Sequence, residues 1–361
     1  MKLLTSDMKM ADVIHSNYLL MPVINRFGIH LGFGEKTVRT VCREHRIDTD
    51  FFLTIINAFS NEHYFPEKKF QTFNVLMIVD YLQRTHTYYI TNQIPLIERL
   101  LTNLLRTSDV DTKKLRLIKK FFLDYKRELF THLEREEKTT FPYVRKVYRL
   151  FYTPHPSSRE KRALSKYSMH VYEEEHNDVE EKLYDLKNLL IKYVRDDSTG
   201  DSFQEVIFEL FRLEKDILDH TRIENTILLP LVSKMEDALF YPAEHSKRTA
   251  GVKALGGIEV NLPLKNELRI GTTDLAQHRL TLPISKAGTR QFEGLTSREL
   301  EVLQHVASGF LNKQIADKLS ISLHTVISHR KNITRKLQIK TVAGLTVYAL
   351  LNGLISSNNL S

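Results

Sequence analysis

The most constraining feature of this chain is a pattern of histidine and glutamate residues that occurs twice with nearly the same spacing. Two histidines and a glutamate make up each copy: His86, His132 and Glu136 in the first, His176, His220 and Glu224 in the second. The copies are offset by 88 to 90 residues, and each ends in an H-x-x-x-E motif. Residues four positions apart lie on the same face of an α-helix. Four packed helices would therefore bring four imidazoles and two carboxylates together, which predicts a two-metal site.

A single H-x-x-x-E motif would carry little information, because a histidine four residues before a glutamate is common on solvated helix surfaces. The duplication makes coincidence a poor explanation, since an upstream histidine precedes the motif by 46 positions in one copy and 44 in the other. A proline also follows the histidine of each motif by ten positions, at Pro142 and Pro230. We therefore interpret the six residues as one site.

The donor types narrow the choice of metal. Imidazole and carboxylate ligands without thiolate suit iron, manganese or zinc. Two glutamates can bridge two ions, with two histidines on each, which leaves an octahedral position open. Structural metal sites are usually closed, whereas open positions accept outside ligands such as dioxygen, nitric oxide or peroxide. The pattern thus predicts a reactive or sensing site.

Four long stretches rich in Leu, Ile and Phe carry these residues, with apolar positions spaced three and four apart. They cover residues 74–106, 112–138, 168–196 and 202–236. This periodicity is typical of helices in a bundle. We predict an all-α fold class.

The six residues and their helices resemble the hemerythrin-like di-iron proteins, in particular the subfamily that repairs iron–sulfur clusters after nitrosative and oxidative stress. The resemblance covers about residues 70–240. It implies a four-helix bundle whose cofactor is two non-haem iron ions bridged by the carboxylates of Glu136 and Glu224. The preference for iron over manganese or zinc comes from this resemblance.

The N-terminal stretch 13–48 resembles the small helical, ScdA-like domain that precedes the bundle in those repair proteins. That family usually has a cysteine pair in the turn after the first helix, but the corresponding turn here, 27–34, has none. The single cysteine of the chain is Cys42, which we interpret as a small buried residue on a helix. The missing thiols argue against a sulfur-handling role.

The C-terminal region carries a second set of sequence motifs, unrelated to the histidine and glutamate pattern. From Leu295 it contains the motifs L-T-x-R-E-x-E-V-L, G-x-x-N-K-x-I-A-x-x-L and S-x-x-T-V-x-x-H. Local capping signals predict four helices. The first is capped by Thr296 or Ser297 and ends at Gly309, and the second is capped by Asn312. The third is capped by Ser322 and runs to about Leu337, and the fourth spans 341–352. Two helices about a tight turn, the second rich in basic residues, indicate a helix-turn-helix.

These motifs resemble the LuxR/NarL-type DNA-binding domain over about 65 residues. The resemblance implies that double-stranded DNA is a partner and that the protein acts as a homodimer on paired half-sites. In the recognition helix, the stripe Val326, Ile333 and Leu337 packs inward, and the opposite face meets DNA. Ser328 and Lys331 are the candidates for base contacts. The full set of predicted DNA-contacting residues is Lys313, Thr325, Ser328, His329, Lys331, Asn332, Arg335 and Lys336.

Charge agrees with this interpretation. The chain has a net charge of +8, and residues 290–361 contain nine Lys and Arg against four Asp and Glu. A basic excess on one small domain is typical of phosphate binding. One cysteine excludes a disulfide framework and fits a reducing cytosol. We find no apolar run of membrane-spanning length and no signal peptide, and therefore expect a cytoplasmic protein without a membrane partner.

We predict four regions: a small helical domain at 1–65, the di-iron bundle at 66–240, a linker at 241–292 and the DNA-binding domain at 293–361. Short alternating segments, GIEVNL and HRLTLPI, indicate a little strand in the linker, whose default role is a passive tether.

A metal site upstream of a DNA-binding domain favours a one-component transcription regulator that is not an enzyme and senses nitric oxide, dioxygen or redox and iron status. One alternative is a di-iron enzyme that reduces nitric oxide or peroxide, or an iron donor in cluster repair. In the other, the bundle is a metal-free scaffold that responds to a protein or an organic ligand.

Overall fold

The computed structural model describes residues 3–61, 63–107, 112–164, 179–194, 200–240 and 294–356. Within these ranges the regular structure is helical, apart from one isolated antiparallel bridge between Lys9 and Thr37. The predicted all-α class is therefore confirmed. The linker at 241–292, with its two predicted strand segments, lies outside the described residues. Among the helices described, none combines the length and apolar composition that crossing a bilayer requires.

Short helices form the N-terminal part: α1 (Met10–Ser16), α2 (Met21–Arg26), α3 (Val38–Glu44), α4 (Thr49–Ser60) and α5 (Glu67–Phe70). Side-chain caps fix where two of them begin. The hydroxyl of Thr37 accepts a hydrogen bond from the Thr40 amide before α3, and the carboxylate of Asp48 accepts one from the Phe51 amide before α4. Cys42 lies on α3 with no exposed surface, as predicted.

Eight further helices follow: α6 (Val75–Tyr88), α7 (Ile94–Thr107), α8 (Thr112–Arg135), α9 (Phe141–Phe151), α10 (Ser158–Leu164), α11 (Val179–Tyr193), α12 (Gly200–Ile223) and α13 (Leu229–Phe240). Helix α7 packs on α8, α8 on α11, α11 on α12, and α12 on α7. This closed ring of contacts is the predicted four-helix bundle.

Three π-helical segments interrupt the bundle helices, at Tyr89–Gln93, Glu136–Thr140 and Glu224–Leu228. Each is followed, at the second residue of the next helix, by a proline: Pro95, Pro142 and Pro230. Proline donates no amide hydrogen and crowds the carbonyl four residues earlier. The wider π turn relieves that conflict, because the residue before each proline bonds to the carbonyl five positions back. The sequence therefore predicts continuous helices correctly here but not their π geometry.

Two large apolar clusters fill the molecule. One joins the N-terminal helices to α6, α9 and α13, and includes Phe52, Phe70, Val79, Val144 and Val232. The other joins α7, α8, α11 and α12 to the C-terminal domain, and includes Ile97, Phe122, Leu189, Leu213 and Tyr348. Along the chain, the H-x-x-x-E motifs fall where the helices pass from one cluster to the other. The predicted ligands that the structure describes thus occupy a polar layer between two apolar cores.

The C-terminal domain comprises α14 (Ser297–Ala307), α15 (Asn312–Leu319), α16 (Leu323–Leu337) and α17 (Val342–Leu351). Thr296 caps α14 through a capping box with Glu299, and Ser322 caps α16, as predicted.

The prediction that Asn312 caps the second helix of this domain is wrong. Leu311 occupies the cap position, and its amide donates to the Gln314 side chain at 2.8 Å. Asn312 is the first helical residue, and its side-chain oxygen accepts a hydrogen bond from Arg330 of α16 instead. It therefore fastens the two helices of the helix-turn-helix to each other.

Candidate metal centre and DNA-binding face

A buried cluster of two histidines and two glutamates lies in the polar layer of the bundle. His86, Glu136, His220 and Glu224 each offer one ligand atom, and these atoms lie within 4.8 Å of one another. The Nε2 atom of His86 is 3.2 Å from Nε2 of His220, and Nε2 of His220 is 3.0 Å from Oε1 of Glu224. The four side chains come from both copies of the repeated pattern, so the duplication does converge on one place.

His132 extends this cluster at its edge. Its Nε2 atom lies 3.2 Å from Oε1 of Glu136, one helical turn away, and its side chain is 12% exposed. His132 is not among the four residues whose ligand atoms all lie close together. The sixth predicted ligand, His176, lies outside the described residues.

Glu137 contacts the nitrogen of His86 that does not face Glu136. The Nδ1 atom of His86 is 2.8 Å from Oε1 of Glu137, while Nε2 of the same ring is 3.3 Å from Oε2 of Glu136. Gln83 holds Glu137 in turn by donating from Nε2 to Oε2 at 2.6 Å. A carboxylate behind a histidine fixes the tautomer and orientation of a metal-binding ring. Glu137 is absent from the set of residues predicted from the sequence, although a second glutamate directly after the motif was the available signal.

The pKa values of the two central histidines are shifted in opposite directions. Burial alone would lower the pKa of His86, but hydrogen bonds to Glu136 and Glu137 outweigh it and raise this pKa to about 9. Burial, together with the neighbouring charge of His86, lowers the pKa of His220 to about 3. Burial also opposes the ionisation of Glu136, yet hydrogen bonds from His132 and His86 keep its pKa well below the usual range. A proton on one imidazole thus balances part of the carboxylate charge, and a metal ion would compete with that proton.

The donor set fits a metal ion. Glu136 and Glu224 have at most 1% of their surface exposed, and two ionised carboxylates in such a place are costly unless positive charge balances them. The donors are imidazole nitrogens and carboxylate oxygens, a combination that suits iron, manganese or zinc. Each glutamate also opens a π-helical segment, a geometry common at functional sites.

Aromatic rings close two sides of the cluster. The Phe141 ring stacks on His86 with centroids 5.3 Å apart, and the Tyr89 ring meets His220 edge-on at 5.9 Å. Tyr88 points away, and its hydroxyl donates to Gln93 at 2.6 Å. Tyr89 is therefore the candidate neighbour for controlling access.

A surface pocket of about 460 Å³ reaches His86 from the outside, with Asp80, Arg84, Ile90 and Glu137 in its walls. His86 and Glu137, whose Nδ1 and Oε1 atoms lie 2.8 Å apart, both line this pocket. A small molecule can therefore reach the edge of the cluster from solvent.

The N-terminal helices contact the bundle one turn before His220. The buried Arg26 side chain forms a two-pronged ion pair with Asp216, in which Nη1 lies 2.9 Å from Oδ1. The guanidinium also lies over the Tyr88 ring, 4.7 Å from its centroid. This contact places the N-terminal helices beside α12, which carries His220.

The predicted recognition helix α16 presents a basic face to solvent. Val326, Ile333 and Leu337 are buried as predicted, with at most 1% of their surface exposed. The predicted DNA-contacting residues fall into an exposed group and a partly buried group: Lys313, Ser328, Lys331, Arg335 and Lys336 are exposed, and Thr325, His329 and Asn332 are partly buried.

Some of these side chains have partners within the domain. Lys336 donates to Oε2 of Glu299 at 2.7 Å and to the carbonyl of Gly294 at 3.1 Å. The hydroxyl of Thr325 lies 2.8 Å from that of Ser322, at the start of the helix. Lys336 therefore stabilises the domain, and Ser328 and Lys331 remain on the open face.

Comparison with known proteins matches two segments of the chain. The hemerythrin HHE cation binding domain matches residues 77–232, and the luxR family of bacterial regulatory proteins matches residues 293–349. The transcriptional regulatory protein MctR of Rhizobium johnstonii is 46% identical over 72 residues, which are 19% of this chain and 34% of MctR.

Two oxygen regulatory proteins named NreC are also similar. That of Staphylococcus carnosus is 44% identical over 64 residues, which cover 18% of this chain and 30% of the relative. That of Staphylococcus aureus (strain JH9) is 43% identical over 67 residues, covering 19% and 31%. The chain thus spans about a third of the length of these curated relatives.

These matches coincide with the two sites described above. The metal-type cluster lies within 77–232, and the exposed basic helix lies within 293–349. The chain therefore joins a hemerythrin HHE cation-binding domain to a helix-turn-helix DNA-binding domain of the luxR family of bacterial regulatory proteins.

Proposed function

We propose that this protein is a one-component transcription regulator whose bundle senses nitric oxide, dioxygen or redox and iron status through a non-haem di-iron site. The observation that carries the proposal is the combination, in one chain, of a buried His and Glu cluster with an exposed basic recognition helix. The names of the MctR and NreC relatives support regulation for the C-terminal part alone, because the similarity covers about a third of those proteins.

The proposed ligands are the six residues of the repeated pattern: His86, His132, Glu136, His176, His220 and Glu224. Two iron ions would lie between the helices, with the two glutamates bridging them. Bound iron would supply an open coordination position for a diatomic ligand. Glu137 would orient His86 for this task, and the rings of Phe141 and Tyr89 would limit the entry of water.

The surface pocket beside His86 offers a small signal a route towards the cluster. At about 460 Å³ the pocket is open to solvent and ends at the buried ring of His86. A diatomic molecule needs only a narrow path beyond it, whereas a larger substrate would need the cluster itself to be exposed. We propose a sensor and not an enzyme because the same chain carries a DNA-binding domain of the luxR family.

The DNA half of the proposal assigns base contacts to Ser328 and Lys331, with Lys313, Thr325, His329, Asn332 and Arg335 on phosphates or in positioning roles. Lys336 would act through Glu299. The protein would be a cytoplasmic homodimer. Its two recognition helices would bind paired half-sites in double-stranded DNA. We also propose the domain boundaries that were predicted from the sequence. The first of them, between residues 65 and 66, lies between α4 and α5.

The test is the metal content and the optical spectrum of anaerobically purified protein, before and after nitric oxide is added. The proposal expects about two irons per chain and absorption bands that nitric oxide changes. Absence of iron, or zinc without a spectral response, would contradict it. Repeated turnover of nitric oxide or peroxide by the iron-loaded protein would favour the di-iron enzyme instead.

A further inference from the structure

The start of the last helix of the DNA-binding domain is held by a carboxylate of the bundle. The side chain of Asp185, on α11, accepts hydrogen bonds from the Lys340 amide at 2.9 Å and the Thr341 amide at 2.8 Å. The Thr341 hydroxyl donates to the same carboxylate at 2.7 Å. The first amides of a helix lack partners within the helix, and its dipole attracts negative charge there. Asp185 therefore satisfies the N-terminus of α17 from another domain.

The same bundle helix also holds the end of the recognition helix. Asn188 donates from Nδ2 to the carbonyl of Gln338 at 2.7 Å, and Lys192 donates from Nζ to the carbonyl of Leu337 at 3.1 Å. These carbonyls belong to the last residue of α16 and its C-cap, where helical partners are lacking. Positions 185, 188 and 192 share one face of α11. Side chains on one face of α11 thus form hydrogen bonds with the junction between α16 and α17.

Gly344 makes this close approach possible. A Cβ atom at position 344 would lie 2.5 Å from Oδ2 of Asp185 and 2.7 Å from Cγ2 of Ile339. The apolar contact continues beyond it, where the rings of Tyr193 and Tyr348 meet with centroids 5.3 Å apart. The two domains therefore share a packed interface around Asp185.

The contact leaves the DNA-binding face open. Ser328, Lys331 and Arg335 remain exposed while α17 lies against the bundle. The interface consequently sets the orientation of the recognition helix and does not cover it. Helix α11 packs on α8 and α12, the helices that carry His132 and His220. A rearrangement of the metal-site helices would therefore move the support of the recognition helix directly.

We propose that Asp185, Asn188 and Lys192 form a clamp that fixes the DNA-binding domain to the bundle and transmits the state of the metal site to the recognition helix. The docking half of this inference, that the three residues fix the DNA-binding domain to the bundle, stands on the contacts alone. The transmission half, that they pass the state of the metal site to the recognition helix, rests on the proposed function. In a dimer, such a clamp would set the spacing and angle of two recognition helices, on which binding to paired half-sites depends.

Hydrogen exchange in the full-length protein tests the docking half. Asp185→Ala removes the acceptor from α11, and Gly344→Ala places a methyl group against the Asp185 carboxylate without altering α11. Both are expected to speed amide exchange at 340–348 by about tenfold or more, the factor that corresponds to one lost hydrogen bond to a charged group. Glu181→Ala, on the same helix, is the control and is expected to leave that exchange unchanged. Unchanged exchange in both Asp185→Ala and Gly344→Ala would overturn the clamp.

A crosslinking experiment covers the case in which these variants fail to fold. Asn188→Cys with Gln338→Cys should react with a short bifunctional thiol reagent within one chain, and buried Cys42 alone should not. Absence of an intramolecular crosslink in the folded double variant would equally overturn the docking.

DNA binding with and without ferrous iron tests the transmission half. The probe is a duplex selected from a random library by the wild-type protein. The measured quantity is the ratio of the DNA dissociation constants without and with ferrous iron. Allosteric coupling typically changes affinity about 5- to 150-fold, and we expect a wild-type ratio in that range. The ratio should fall to about 1 in Asp185→Ala and persist in Glu181→Ala. A full ratio in Asp185→Ala would overturn transmission and leave the proposed function standing. A wild-type ratio of 1 would overturn the proposed function and transmission, while the exchange experiment still decides the docking.

Discussion

The imidazole of His86 is held between two carboxylates, with Nδ1 2.8 Å from Glu137 and Nε2 facing Glu136 at 3.3 Å. Glu137 itself is not a member of the buried cluster. It therefore acts on the candidate metal centre through the ring that it orients, in the way of an outer carboxylate behind a metal-binding histidine.

Replacing Glu137 by alanine is expected to weaken metal binding about 10- to 100-fold, the usual effect of losing such a partner. Competition with a chelator at fixed pH would measure the affinity for ferrous iron. Glu134→Ala is the matched control, because Glu134 is an exposed glutamate nearby that pairs with Lys138. Equal affinities in the two variants would show that Glu137 does not orient His86.

Loss of Asp216 is expected to destabilise the protein by about 3–5 kcal/mol, because Arg26 would remain charged in a buried position. Burial alone would lower the pKa of Arg26, but the charge of Asp216 keeps that pKa well above its usual value. Urea unfolding of Asp216→Ala, followed by circular dichroism, measures the change. The double variant Arg26→Met with Asp216→Leu should recover most of the loss, and an equally unstable double variant would contradict this account.

Cys42 is expected to react slowly with alkylating reagents in the native protein. Burial raises the pKa of its thiol to about 11, so the thiolate is scarce at pH 8. The shift alone corresponds to alkylation about 100-fold slower than in the unfolded chain, and the native rate should still be rising above pH 9. Rates with iodoacetamide, with and without urea, give the comparison. Similar rates in both would mean that the thiol is accessible and ionised.

Two lysines of the recognition helix are expected to behave differently. Lys331 is exposed on the open face, and Lys331→Ala should cost about 1–3 kcal/mol of DNA binding and relax sequence preference if it contacts a base. Lys336 pairs with Glu299, so Lys336→Ala should mainly reduce the stability of the domain. Binding to a selected duplex and to its single-base variants distinguishes the two. A loss of binding from Lys336→Ala alone, with stability unchanged, would reverse the assignment.

Lys313 offers a separate test of phosphate contact. Its side chain is exposed at the start of α15, and Lys313→Ala should weaken binding to all duplexes alike. It should also reduce the slope of affinity against salt concentration by about 1, since one fewer counterion would be released. An unchanged slope would remove Lys313 from the DNA contacts.

The repeated motif predicted the metal-type cluster because helical periodicity fixes which residues share a face. Every predicted ligand in the described residues lies in the cluster or, for His132, at its edge. The capping motifs placed the C-terminal helices for the same local reason, except at Asn312. Pro95, Pro142 and Pro230 follow the three π turns, but the sequence predicted only continuous helices there, because a proline within a helix is also compatible with a kink or a helix end.

The contacts of Asp185 and Arg26 lay beyond sequence reasoning. Asp185 meets Thr341 across 156 positions, and Arg26 meets Asp216 across 190. An aspartate on a helix is ordinarily a solvated surface residue, and no local pattern distinguishes one that will receive a helix N-terminus from another domain. Such pairs become visible only when the docking of whole domains is known.

The most direct test of the central claim is the dissociation constant for DNA of iron-loaded and iron-free protein, measured side by side in the wild type and in the His132→Ala, His220→Ala double variant. The account predicts that iron changes the wild-type constant about 5- to 150-fold and leaves the double variant unaffected. Equal constants in the wild type with and without iron, or full regulation by the double variant, would contradict a metal centre that controls DNA binding.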